Sequence, residues 1–125
     1  GAVPGLMARL ISDPALIRAE GNLPKVIEEF FGVVNTGDTH VSIARMRSPQ
    51  GWVEPGQTPE FSEYTLVLSG RLRVDTKARA LDVEAGQAVV VHAGEWVRYS
   101  SPYEDCEYVS VCLPAFSAET VKRDA

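Results

Sequence analysis

The sequence predicts an all-β barrel, and three observations carry that expectation. Short runs rich in β-branched and aromatic residues alternate with turn signals about every eight to twelve residues, the rhythm of a sandwich or barrel. Residues 51–70 and 86–101 share one grammar: glycine, apolar strand, tight turn. No self-similarity appears at the roughly 20–50-residue period of a solenoid. The chain is read as a lead-in (1–24), a barrel (25–113) and a C-terminal tail (114–125).

Within the lead-in, Asp13-Pro14 has the form of a helix start, with Asp as N-cap and Pro at the first helical position. Gly21 and Pro24 limit that helix to a turn or two. Leu6, Met7, Leu10 and Ile11, ahead of it, fall at helical spacing and could form an apolar face. Residues 25–34 fit two patterns. Val26, Ile27, Phe30, Phe31 and Val34 would share one helical face, yet the turn signal at residues 35–38 favours a hairpin with residues 39–47. Gly32 then reads as a bulge. In the second arm Val41, Ile43, Arg45 and Arg47 share one face, and His40, Ser42, Ala44 and Met46 share the other. Which of the two looks inward stays open.

Residues 71–75 and 80–84 read as short strands about a polar turn at Lys77. Gly86 opens another strand, His92-Ala93-Gly94 makes a tight turn, and residues 96–100 and 107–113 alternate again. Pro114 ends the last of these, leaving a polar tail or terminal helix.

At 125 residues the chain is most simply one domain, with room for a core that needs no disulfide. The net charge of -5 offers no basic stripe, so no nucleic-acid partner is expected. No apolar run reaches the roughly 18 residues of a membrane span, and no signal-peptide pattern is read, which together point to the cytoplasm. Cys106 and Cys112 on one strand would stand about 20 Å apart, too far for a disulfide within it. Cys112 is read as a small buried apolar residue.

The positions Gly51, Gln57, Pro59, Glu63 and Gly70 resemble the first motif of the cupin family. Gly86, His92, Ala93, Gly94 and Val97 resemble the second in outline, and the likeness runs from about residue 41 to 113. It implies a cupin-like, jelly-roll β-barrel, commonly a homodimer. Metal-binding cupins place two histidines and a glutamate in the first motif and a histidine in the second. Here those positions are Gln57, Pro59, Glu63 and Val97, so the metal motif is degenerate and no cofactor is expected. A divalent transition metal, were one held, would have to use Gln57, Glu63 and His92, or recruit His40 or Glu60.

Strand parity puts Gln57, Pro59, Phe61 and Glu63 on one face, which the resemblance makes the interior, and turns Glu60, Ser62, Tyr64 and Arg98 outward. A carboxylate in an apolar barrel has its charged form disfavoured, which suits a general base near neutral pH. The expectation is therefore a small-molecule cupin: a metal-independent lyase or isomerase with Glu63 as base, Tyr99 and His92 as further catalytic candidates, and Gln57, Phe61, Trp96 and Val97 contacting a small organic ligand. A non-catalytic ligand-binding or sensor cupin is the alternative. Against the catalytic reading, Arg45, Arg47 or Arg73 could simply pair with Glu63. Trp52 and Trp96 serve as wall aromatics.

Overall fold

A computed structural model describes residues 7–125. Its strands are β1 (Ala15–Ile17), β2 (Val26–Phe31), β3 (Ser42–Ser48), β4 (Trp52–Val53), β5 (Ser62–Ser69), β6 (Arg71–Thr76), β7 (Ala80–Glu84), β8 (Ala88–Val91), β9 (Val97–Ser101) and β10 (Cys106–Leu113). A six-stranded sheet runs β1-β2-β3-β10-β5-β8, and a four-stranded sheet runs β4-β9-β6-β7. Every pairing is antiparallel. This is the expected cupin-like barrel.

Alternation drives the two sheets together. Along β10, Cys106, Tyr108, Ser110 and Cys112 are buried while the residues between them are not. The core between the sheets gathers Trp52, Val67, Leu72, Val74, Val97 and Tyr108. A smaller cluster of Phe61, Cys112 and Val121 lies beside it, with the Phe61 and Phe116 rings edge to face at 5.8 Å. Both cysteines are free and buried.

The hairpin of β2 and β3 forms as expected, with a register shift between Glu29 and Phe31 near the anticipated bulge at Gly32. A side chain at Gly32 would collide with the Glu29 carboxyl group, 2.5 Å from its Cβ. That carboxylate instead accepts from the amides of Val34 and Asn35 at 3.0 Å and shapes the turn. The face left open by the sequence is settled: Ser42 and Ala44 point inward and Arg47 outward.

The lead-in departs from expectation. Among the described residues there is no helix, and the segment after Asp13-Pro14 is β1, paired with β2. Leu6, part of the expected apolar helical face, lies outside the described residues. An edge strand tolerates the proline beside it, and sheet pairing outweighs the local capping signal. The tail is not helical either. It returns to the barrel, where the Thr58 amide donates to Lys122 and the Glu60 amide to Thr120, while the Asp124 amide donates to Gly56. Val121 is buried by this return.

Candidate functional site

The first motif descends from an extended segment into β5, and period-two parity places its side chains as expected. Gln57, Pro59, Phe61 and Glu63 are buried, while Glu60 and Tyr64 are exposed. Gln57 bridges to Val97 across the barrel, each amide donating to the other's carbonyl at 2.9 Å. The turn of the second motif joins the first through the Gly94 amide, which donates to Pro59 at 2.8 Å.

Between the sheets lies a cavity of about 60 Å³, enough for a few waters. Gln57, Phe61, Glu63 and Tyr99 line it together. So do four charged residues that the sequence reading did not single out: Lys25 just before β2, Glu29 within β2, Glu54 after β4, and Arg123 from the tail. His92, Trp96 and Val97 are not among its lining. His92 is exposed in its turn, its amide accepted by Glu95 at 3.0 Å. Trp96 packs outside, donating to Asp124 at 2.9 Å, with Lys77 and Arg98 near its ring. Val97 is wholly buried in the core.

The charges in this cavity are mutually dependent. Burial pushes the Glu54 carboxyl up to about 7, with Lys25 opposing the rise and Glu63 adding to it. Burial also raises Glu63, with the Lys25 ammonium the largest opposing influence. Burial disfavours the Lys25 ammonium, but Tyr108, Glu54 and Glu63 outweigh it and hold the pKa above its usual value. Lys25 as a residue is only half-buried, yet its Nζ stands 4.2 Å from the Trp52 ring centroid and 5.1 Å from that of Tyr108. Both rings are almost fully buried, so the stem enters at the rim and the charge sits inside. Burial raises Tyr99 well above the ordinary phenol range, reinforced by Glu63 and Glu54. Among the described residues, Gln57 Oε1, the Tyr99 hydroxyl and Arg123 Nε are buried without a hydrogen-bond partner.

The arginines suspected of neutralising Glu63 are committed elsewhere. Arg45 and Arg47 pair with Glu28 at 3.0 and 2.9 Å, Arg47 also with Glu107, and Arg73 with Asp75 at 3.1 Å. The ammonium that shares the cavity with Glu63 is that of Lys25, which opposes the rise of the carboxyl's pKa without a direct ion pair. Its appearance in the site has no local signal, because a lysine before a strand is ordinarily a solvated residue.

These side chains do not fit the metal that the cupin likeness implies. Among the described residues, no three His, Cys, Asp or Glu side chains are grouped to hold an ion. Gln57 and Glu63 reach the cavity, but His92, His40 and Glu60 are exposed. The ammonium in the same cavity would repel a second cation.

No protein-family model matches the chain. Solved structures share its fold. A variant of Bacillus subtilis oxalate decarboxylase superposes with a TM-score of 0.73 at 18% identity, over 90% of this chain and 31% of that one. A predicted oxalate decarboxylase from Thermotoga maritima gives 0.69 at 17%, over 86% and 99%. A putative ethanolamine utilization protein Q from Salmonella typhimurium gives 0.63 at 17%, over 74% and 71%. At such identities the likeness is one of fold. A curated relative, Endoribonuclease YbeY of Myxococcus xanthus, is 40% identical over 120 residues, 95% of this chain. The chain spans about 40% of that relative's length.

That relative overturns the expected function. A lyase or isomerase using Glu63 on a small carbonyl compound conflicts with it, as does a ligand-binding or sensor cupin. So does the expectation of a small organic ligand with no nucleic acid as partner, since the relative is named for action on RNA. Net charge sums over the whole surface and is a weak guide to a specific partner.

Proposed function

We propose that this chain serves RNA processing as a barrel module of an endoribonuclease-type protein, and is not itself the cleaving centre. The likeness to the Myxococcus xanthus endoribonuclease carries this reading. The chain accounts for 40% of that relative's length, which leaves the larger part to supply a cleaving centre. The interior supports the division of labour. A cavity of about 60 Å³ has no room for a ribose and its scissile phosphate between an acid and a base.

Three finer features belong to this reading. The metal motif is degenerate, with Gln57, Pro59 and Val97 at positions where metal-binding cupins carry histidine. RNA processing favours a cytoplasmic setting; no helix among the described residues is long and apolar enough to cross a membrane. The barrel pairs with a second copy through the outer face of its larger sheet, where Tyr64, Leu66, Leu68 and Val90 stand more than two-fifths exposed. A solvated sheet face would alternate to polar residues there, and a contiguous apolar patch marks an interface.

The test uses the Myxococcus xanthus relative, intact and lacking its matched region, with a labelled single-stranded RNA, beside the present chain alone. The intact relative is expected to cleave, the chain alone not to, and the truncated relative to cleave at a changed rate or with changed products. Unchanged cleavage after truncation, or cleavage by the chain alone, overturns the proposal.

A further inference from the structure

We infer that the Lys25 ammonium is a built-in cation of this barrel, balancing Glu63 and Glu54 where the family motif would use a metal, and latching the N-terminal strand pair over the cavity. Three observations carry it. Lys25, Glu54 and Glu63 line one cavity between the sheets. The ammonium lies against the faces of Trp52 and Tyr108, the two aromatic rings that wall it, at 4.2 and 5.1 Å from their centroids. The motif's imidazole positions are occupied by groups that cannot bind a metal as histidine does, while its carboxylate is kept.

A buried carboxylate needs a counter-charge or it gives up its own. A metal supplies one by coordination and leaves when its ligands change. A lysine supplies one covalently, at fixed stoichiometry, and ties it to its own strand. Lys25 immediately precedes β2, which carries β1 on its outer side. The charge that completes the interior therefore also holds down the element that covers it. The latch does not depend on what the barrel serves.

The experiment is thermal unfolding of the full chain and of Lys25→Met, Lys25→Gly and Lys25→Met/Glu54→Gln, each with and without ethylammonium, and with manganese or cobalt. Leaving the cavity's carboxylates without this ammonium should lower the Tm of Lys25→Met by roughly 10 °C. Glu54→Gln in the same chain should recover at least half of that loss. Ethylammonium should raise the Tm of Lys25→Gly, which has room for it, and sodium chloride at equal ionic strength should not. The unsubstituted chain should show no shift with either metal and hold none after dialysis. A Lys25→Met protein as stable as the parent, or no rescue by the amine, overturns the latch. Stoichiometric metal in the unsubstituted chain overturns the built-in cation. Should Lys25→Met not fold, recovery of folding in the double variant supports the inference, and its failure to fold counts against it.

Discussion

Trp52 holds the N-terminal segment in two ways: its ring faces the Lys25 ammonium at 4.2 Å, and its indole N–H donates to the Glu20 carbonyl at 3.2 Å. Asn22 adds a side-chain bond to Gly51 and accepts from the Val53 amide at 2.8 Å. The first motif thus begins at a post to which the lead-in is tied. Trp52→Leu keeps an apolar filler and removes both links, so it should cost about 3 kcal/mol, within the range for truncating a buried tryptophan. Hydrogen exchange should then quicken most in β1 and β2. Uniform quickening across the barrel would mean that Trp52 is only a core residue.

Glu54 sets a pH dependence whose sign can be worked out. Its folded pKa, about 7, stands above the ordinary carboxylate value of 4.5. Between those values the folded chain holds a proton that the unfolded chain has released, so this group lowers stability as pH rises through the window. Well above neutrality its cost levels off, on the order of 3 kcal/mol. Glu54→Gln should match the parent near pH 4 and exceed its stability at pH 8. Urea unfolding of both across pH 4–8 measures the difference directly. A constant offset, or a parent that gains on the variant with rising pH, would show that Glu54 is not held protonated by its surroundings.

A second window opens at alkaline pH. Lys25 titrates above its ordinary value, so its contribution is intact below about 10.5 and is lost as pH climbs through the folded pKa. Tyr99 and Tyr108 act with the same sign, since burial raises both and the unfolded phenols ionise first. Stability should fall steadily above about pH 10. Lys25→Met should show a shallower fall than the parent.

Gly51, Gly70, Gly86 and Gly94 show why the fold was legible and the site only half so. Turn glycines and period-two strands are local properties, so the barrel, the hairpin of β2 and β3 and the inward set Gln57, Pro59, Phe61 and Glu63 could all be read from spacing. Counter-charges are not local. Arg45, Arg47 and Arg73 were as plausible partners for Glu63 as any cation, and only folding shows them taken by Glu28, Glu107 and Asp75. Lys25 and Arg123 reach the cavity from segments read as the edge and tail of the domain. His92 misled for a related reason. A turn residue beside a motif can face either way, and this one faces solvent.

Gly70 tests the framework itself. It joins β5 to β6 at φ +78°, and a Cβ there would stand 2.1 Å from the Asp105 carbonyl oxygen. Two penalties therefore add: the left-handed backbone, which disfavours any residue with a side chain, and a clash with main chain that no rotamer change relieves. Asp105 leads directly into β10, which sits between β3 and β5 at the centre of the larger sheet. Gly70→Ala should lower stability by about 2–4 kcal/mol, beyond the cost of the backbone conformation alone. Gly86, at φ +84° with nothing near its would-be Cβ, supplies the control. Gly86→Ala should cost about 1–2 kcal/mol, the backbone term without the clash. Equal losses from the two substitutions, measured by urea unfolding, would show that the Asp105 carbonyl yields and that β10 is not held at this point.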